Sequence, residues 1–323
     1  MNRRHALAAL ASALLWPAIT LAQHSGRMPV VGLLITHPPV DDVVVDLFRA
    51  GLREYQYEDG KNYKLEVRTA LGRLDGVATL VEELVHLPVD VLVVVNEVAL
   101  HAAKRATSTV PIVMIGFMDD PVDLGMIESY SRPGGNITGV FNVNAALSGK
   151  RLEILKDALP NLSRVAVLWD RFSERQLDEL QVAARALVIR LDLFEIRDAN
   201  DLDGAIQSAK ARGADAVFMN FSPVFWLHRS RIAAMAIEAG MPTISDINLL
   251  AHSGCLLAYG SDSAYNWARG AYFVDRILNG ADPATLPVER LSKLTLVVNL
   301  ATAKALDISI PQSVLLRADE VIR

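Results

Sequence analysis

The feature that most constrains this chain is an alternation of two kinds of segment. Continuous apolar runs rich in β-branched residues, such as "VDVLVVVN" at 89–96 and "PIVMIGF" at 111–117, are separated by amphipathic stretches such as "EVALHAAKRAT" at 97–107. Strands apolar on both faces belong in parallel sheets covered on each side by helices. The alternation begins with "PVVGLLIT" at 29–36, followed by a helix-compatible spacing of Leu47, Phe48, Leu52 and Tyr55 with Asp41 as its expected N-cap. "YKLEVRTA" at 63–70 alternates, which predicts a half-buried or edge strand, and "LDGVATLVEELVHLP" at 74–88 reads as a helix.

The pattern then restarts. Helix "GKRLEILKDALP" leads into "RVAVLWD", a second helix, "LDLFEIRD", a third helix and "ADAVFMN". The halves rhyme: "VDVLVVVN", helix, "PIVMI" in the first and "ADAVFMN", helix, "PTIS" in the second. This is a repeat of pattern, not of identity. At 323 residues the chain suits two lobes of ordinary domain size, and the expected fold is α/β, with two doubly wound parallel-sheet lobes. Between the halves lies "RPGGNITGVFN" at 132–142, where Gly134 and Gly135 suit a tight turn and the rest reads as extended chain crossing from lobe to lobe.

The first 22 residues differ from the rest. Two arginines, an apolar run from Ala6 to Leu21 and a small residue at Ala22 form the pattern of a secretory signal. The Arg3-Arg4 pair is compatible with either the general or the twin-arginine export route. The expected product is soluble, exported and periplasmic.

Composition narrows the function classes. A net charge of −5 without a basic stripe argues against a nucleic-acid partner. The single cysteine, Cys255, excludes an internal disulfide and any CxxC metal or redox site. The seven histidines never fall at metal-ligand spacing, and no nucleophile elbow, phosphate loop or dinucleotide fingerprint is present. The expectation is therefore no enzyme, no metal and no cofactor. The acids Asp119, Asp120 and Asp123, with Asp246 and Asp262, stand where helix N-caps are expected.

Position supplies the candidate site. Ligands of open parallel sheets sit outside the carboxyl ends of the strands. Those ends, as read from the sequence, contain Thr36, His37, Asn96, Glu97, Gly116, Phe117, Trp169, Phe172, Asn220, Phe221, Ser245, Asp246 and Tyr259. Five are aromatic, against 6% aromatic residues chain-wide, which suits a small-molecule pocket between facing lobes.

The chain resembles the periplasmic ABC-transporter substrate-binding proteins of the type I periplasmic-binding fold, related to tryptophan- and tyrosine-type binding proteins. The resemblance rests on "FRAGLREYQYEDGKN", "AAKRATSTVPIVM", "DPVDLGMIESYSRPGGNITGV", "GKRLEILKDALP", "LLAYGSDSAYNWARGAYFVDRILNGADPATLPVE", "LVVNLATAKALDISIP" and "LLRADEVI". It implies a monomeric receptor that closes on a small ligand and delivers it to a membrane permease with a cytoplasmic ATPase. An aromatic amino acid or related small metabolite is the implied ligand. It also implies a three-segment hinge, near 133–142, 260–263 and 286–291. The expected division is a signal over 1–22, a first lobe of 28–139 plus 262–287, and a second of 140–261 plus 288–323. Asn96-Glu97 departs from the small pair common in such relatives, and Glu97 at a helix start would repel a ligand carboxylate there. Two other readings stand beside this one: a ligand-sensing module for a membrane receptor, and an exported α/β hydrolase or isomerase.

Overall fold

The computed structural model describes residues 27–36, 43–71, 73–117, 120–142, 147–171, 173–220 and 222–323. The expected signal segment and the Asp41 cap lie outside the described residues. In the first lobe β1 (Val30–Ile35), α1 (Val43–Glu54), β2 (Lys64–Thr69), α2 (Val77–His86), β3 (Val91–Val95), α3 (Glu97–Ala106), β4 (Ile112–Phe117) and β5 (Ile137–Asn142) follow one another. The chain then builds the second lobe. There α4 (Ser148–Ala158), β6 (Arg164–Trp169), α5 (Leu177–Ala186), β7 (Arg190–Glu195), α6 (Asp201–Ala211) and β8 (Ala216–Met219) come first. They are followed by α7 (Pro223–Leu227), α8 (Arg229–Glu238), β9 (Thr243–Ser245), α9 (Asn248–His252) and β10 (Leu257–Ser261). Next α10 (Ser263–Leu278) and β11 (Glu289–Leu291) return to the first lobe. Last, β12 (Leu294–Asn299), α11 (Leu300–Ala305), α12 (Gln312–Leu315) and β13 (Glu320–Ile322) close the second.

The first sheet has the strand order β11-β5-β4-β3-β1-β2 and the second β13-β12-β10-β9-β8-β6-β7. Within the second, β7-β6-β8-β9-β10 repeats the order β2-β1-β3-β4-β5 of the first, so the rhyme of the sequence is a topological repeat. All pairings in the first sheet are parallel. In the second, β12 joins β10 antiparallel, with Leu257 opposite Val298. The alternating strand at 63–70 does lie at an edge, as β2, and its charged Lys64, Glu66 and Arg68 discourage pairing with another chain.

One expectation needs correction. The extended stretch "NITGVFN" leads up to a passage between the sheets but belongs to the first lobe: β5 is an interior strand of the first sheet, buried along its whole length between β4 and β11. The first sheet thus extends to Asn142 and takes 289–291 as its edge, beyond the boundaries at 139 and 287 expected from sequence. The reason is the apolar character of Ile137, Val140 and Phe141, which a solvated crossover could not bury.

The chain passes between the sheets three times: after Asn142, at Asp262, and between Leu291 and Leu294. The last two passages are tied together. The Asp262 N–H donates to the Lys293 carbonyl at 3.2 Å, and the Lys293 ammonium lies 2.7 Å from the Asp262 carboxylate. Asp262 is also the expected N-cap, accepting the Tyr265 N–H at 3.0 Å to start α10. A contiguous buried cluster spans both lobes, from Val31, Phe48 and Trp267 to Trp226 and Leu168. Phe48 and Trp267 meet edge to face at 5.8 Å between ring centroids.

Candidate functional site

A cavity of about 120 Å³ lies between the lobes at the carboxyl ends of the strands. The first sheet contributes Val95, Ile115, Gly116 and Asn142, each at or near the end of its strand. From the second lobe come Trp226, Asp246, Ile247, Leu249 and Ser261. Helices α1 and α10 complete the wall with Val44, Ser263, Asn266 and Trp267. The surface is mostly apolar with two indoles and a few polar groups, the usual make-up of a small-molecule site.

Backbone geometry sets this wall. Gly116 has φ +67°, a conformation side chains rarely adopt, at the place where β4 slips register against β5 between Met114 and Phe117. The irregularity breaks the alternation of the strand: Ile115 and Gly116 line the cavity, whereas Phe117, which regular alternation would place with Ile115, is fully buried in the first lobe's own core with Met114. Trp226 comes from α7, whose start is fixed by Ser222 as N-cap, accepting from Val224 and Phe225 N–H, and by Pro223 in the first turn.

Apart from Phe117, the residues expected from sequence fall into four groups. Gly116 and Asp246 line the cavity. Thr36, Asn96 and Glu97 gather at the ends of β1 and β3. Asn96 caps α3 by accepting the Ala99 N–H at 3.2 Å, and its amide donates to the Thr36 hydroxyl. Its backbone, at φ 72° and ψ 171°, occupies a region that is almost exclusively glycine's, which costs about 1–3 kcal/mol. Trp169, Asn220, Ser245 and Tyr259 stand at the ends of second-lobe strands, with Trp169 and Tyr259 half-buried against that lobe's core and not on the cavity wall. His37, Phe172 and Phe221 lie outside the described residues.

Sequence reasoning missed the most informative groups. Trp226 and Trp267 sit on helices and read as core. Asn142 was concealed in a segment taken for a crossover. Asn142 and Asn266 are 2% and 8% exposed, both line the cavity, and neither side-chain oxygen has a hydrogen-bond partner. Buried amides without partners are costly and mark a place for something else.

Arg151 was also unforeseen. Its side chain is fully buried on α4, yet its Nε donates to the Tyr259 carbonyl at 3.0 Å and its Nη1 to Ser148 Oγ at 3.2 Å and to Asn220 Oδ1. Burial pulls its proton affinity down, while the carboxylates of Asp246 and Glu179 act in the opposite sense. It ties α4 to the chain at the end of β8 and to β10. Cys255 is fully buried, and burial pushes its thiol up to about 11, so it is an inert packing group. Among the described residues no cluster of His, Cys, Asp and Glu could hold a metal ion, and no helix is long and apolar enough to cross a membrane.

Comparison with known proteins identifies the family and the fold. The chain is 24% identical over 280 residues to the tyrosine-binding protein of Clostridioides difficile, covering 86% of this chain and 80% of that one. It superposes with a TM-score of 0.79 on an ABC domain from Streptococcus pneumonia in complex with L-Trp, at 24% identity, covering 92% of this chain and all of that one. A conserved domain protein from Vibrio cholerae matches with the same TM-score at 25% identity, over 91% of this chain and all of that one. The family model described as ABC transporter substrate binding protein matches residues 30–322, and the chain belongs to that family.

Proposed function

We propose that this protein is the exported receptor of an ABC importer and that it binds an aromatic amino acid or a related small aromatic metabolite in the cavity between its lobes. The observation that carries the reading is the cavity itself: strand ends from two facing sheets, two indoles and two buried amide oxygens without a donor on one wall. Such a surface gains by stacking on a flat apolar body and by excluding water around it. The three passages of chain between the lobes are the hinge about which they close, and closure around the ligand presents both lobes to a permease with its cytoplasmic ATPase. Residues 1–22 direct export and are removed, leaving a soluble periplasmic monomer. The similarity to a tyrosine-binding protein and to a fold solved with L-Trp supports the ligand class.

A thermal-shift screen of the chain lacking residues 1–22 tests this. A ligand at a hundred times its dissociation constant stabilises the native state by about 2.7 kcal/mol. The expected result is a saturable rise in melting temperature with aromatic amino acids or their derivatives and none with sugars or polyamines. A rise only with a non-aromatic class overturns the ligand reading, and consumption of the added compound overturns the receptor reading.

A further inference from the structure

The cavity wall carries donors in its indoles and serines, but two of its buried acceptors stand without a donor. Asn142 Oδ1 and Asn266 Oδ1 are buried acceptors without donors, and the charged residue on the wall is a carboxylate, that of Asp246, 2% exposed. Among the described residues lining the cavity there is no lysine, arginine or histidine. Arg151 acts electrostatically on Asp246 but is not on the wall, and its hydrogen-bond partners include Tyr259, Ser148 and Asn220. The Ser263 hydroxyl donates at 2.6 Å to Asn248 Oδ1. A ligand carboxylate brought here leaves water without meeting a cation, which is unfavourable, whereas a group rich in N–H donors finds oxygens waiting.

We propose that the cavity selects its ligand by a primary ammonium group, held by the side-chain oxygens of Asn142 and Asn266 and by the Asp246 carboxylate, and that a carboxylate on the ligand is dispensable. An ammonium offers three N–H donors, and these three side chains supply the acceptors. The flat apolar remainder lies against Trp226 and Trp267. The ligand class is therefore arylalkylamines, with aromatic amino acids accepted because they carry the same group. This rests on the reading that the cavity is the ligand site.

Three compounds sharing one indole body separate the alternatives in calorimetric titration: tryptamine, L-tryptophan and indole-3-propionate. The expected result is binding of the first two within about tenfold of each other and of the third at least about a hundredfold more weakly, since it lacks the charged donor. Asn266→Asp gives the reversal that a merely structural role would not. Replacing the amide by a carboxylate tightens tryptamine roughly tenfold if the group accepts from an ammonium, and weakens it if the amide nitrogen had been donating. Asn142→Ala and Asn266→Ala, checked for unchanged melting without ligand, each weaken tryptamine about tenfold or more. Indole-3-propionate binding as well as L-tryptophan, L-tryptophan binding without tryptamine, or a weakened Asn266→Asp overturns the proposal and leaves the receptor reading intact. Failure of all three compounds to bind overturns this proposal, and the receptor reading falls with it if no other aromatic amino acid or derivative raises the melting temperature.

Discussion

The carbonyl oxygen of Asp246 lies against the α-carbon of Gly260, so close that a β-carbon on residue 260 would sit 1.8 Å from it. The approach packs the chain after β9 directly onto β10, beside the Asp246 that lines the cavity. Gly260→Ala must push backbone apart, because no flexible side chain is there to yield. Overpacking of this kind costs about 3 kcal/mol or more, and urea denaturation of the variant reads it directly. Ligand affinity falls along with stability, since the wall carrying Asp246 moves.

Arg151 predicts a large effect from a residue off the wall. Arg151→Ala leaves Asn220 Oδ1 and the Tyr259 carbonyl without their donor and Asp246 without a compensating charge. Breaking such a buried arrangement costs about 3–5 kcal/mol. Arg151→Lys restores charge but not the fork of donors, so denaturant midpoints should fall in the order wild type, Lys, Ala.

The strained backbone of Asn96 gives a prediction with an unusual order. Asn96→Ala removes the cap and keeps the strain, which destabilises by about 1 kcal/mol or more. Asn96→Gly relieves the strain and, as an N-cap, loses only a few tenths of a kcal/mol. Glycine should therefore be the more stable of the two by chemical denaturation, against the usual rank of the two residues within helices.

Acid sensitivity follows from Asp215. Burial acts to raise its pKa, but N–H groups of Ser163 and Arg164 at 2.7 and 2.8 Å and the Ser163 hydroxyl at 2.9 Å outweigh it and hold the carboxyl below its usual range. A depressed folded value means the contribution is present above the unfolded value of about 3.9 and is lost as pH falls through the folded one. Asp215→Asn should thus lower stability at pH 7 and flatten the decline below about pH 4 in denaturation curves taken across pH.

Much of the architecture was legible in the sequence because it is written in periodicity. "VDVLVVVN" and "RVAVLWD" are interior strands for the reason that marked them, unbroken apolar runs too short for helices. The lobe boundary at "NITGVFN" was set too early because a glycine-rich entry resembles the start of a crossover, while its register against β4 and β11 depends on residues far away in the chain. The site was less legible. Sequence locates strand ends but not which face of the pleat meets the cavity, so Gly116 and Phe117 looked equivalent and are not. Trp267 and Asn266 occupy adjacent positions of one amphipathic helix, where core packing and ligand contact carry the same pattern. An unpartnered amide leaves no trace in a sequence at all, since only the folded neighbourhood reveals that nothing donates to it.

A crystal structure of the protein soaked with the ligand that stabilises it most decides whether this cavity is the binding site. Ligand density is expected between the lobes, its aromatic body against Trp226 and Trp267 and its polar end within hydrogen-bonding distance of Asn142, Asn266 and Asp246. Density elsewhere on the molecule, with this cavity still holding only water, would contradict it.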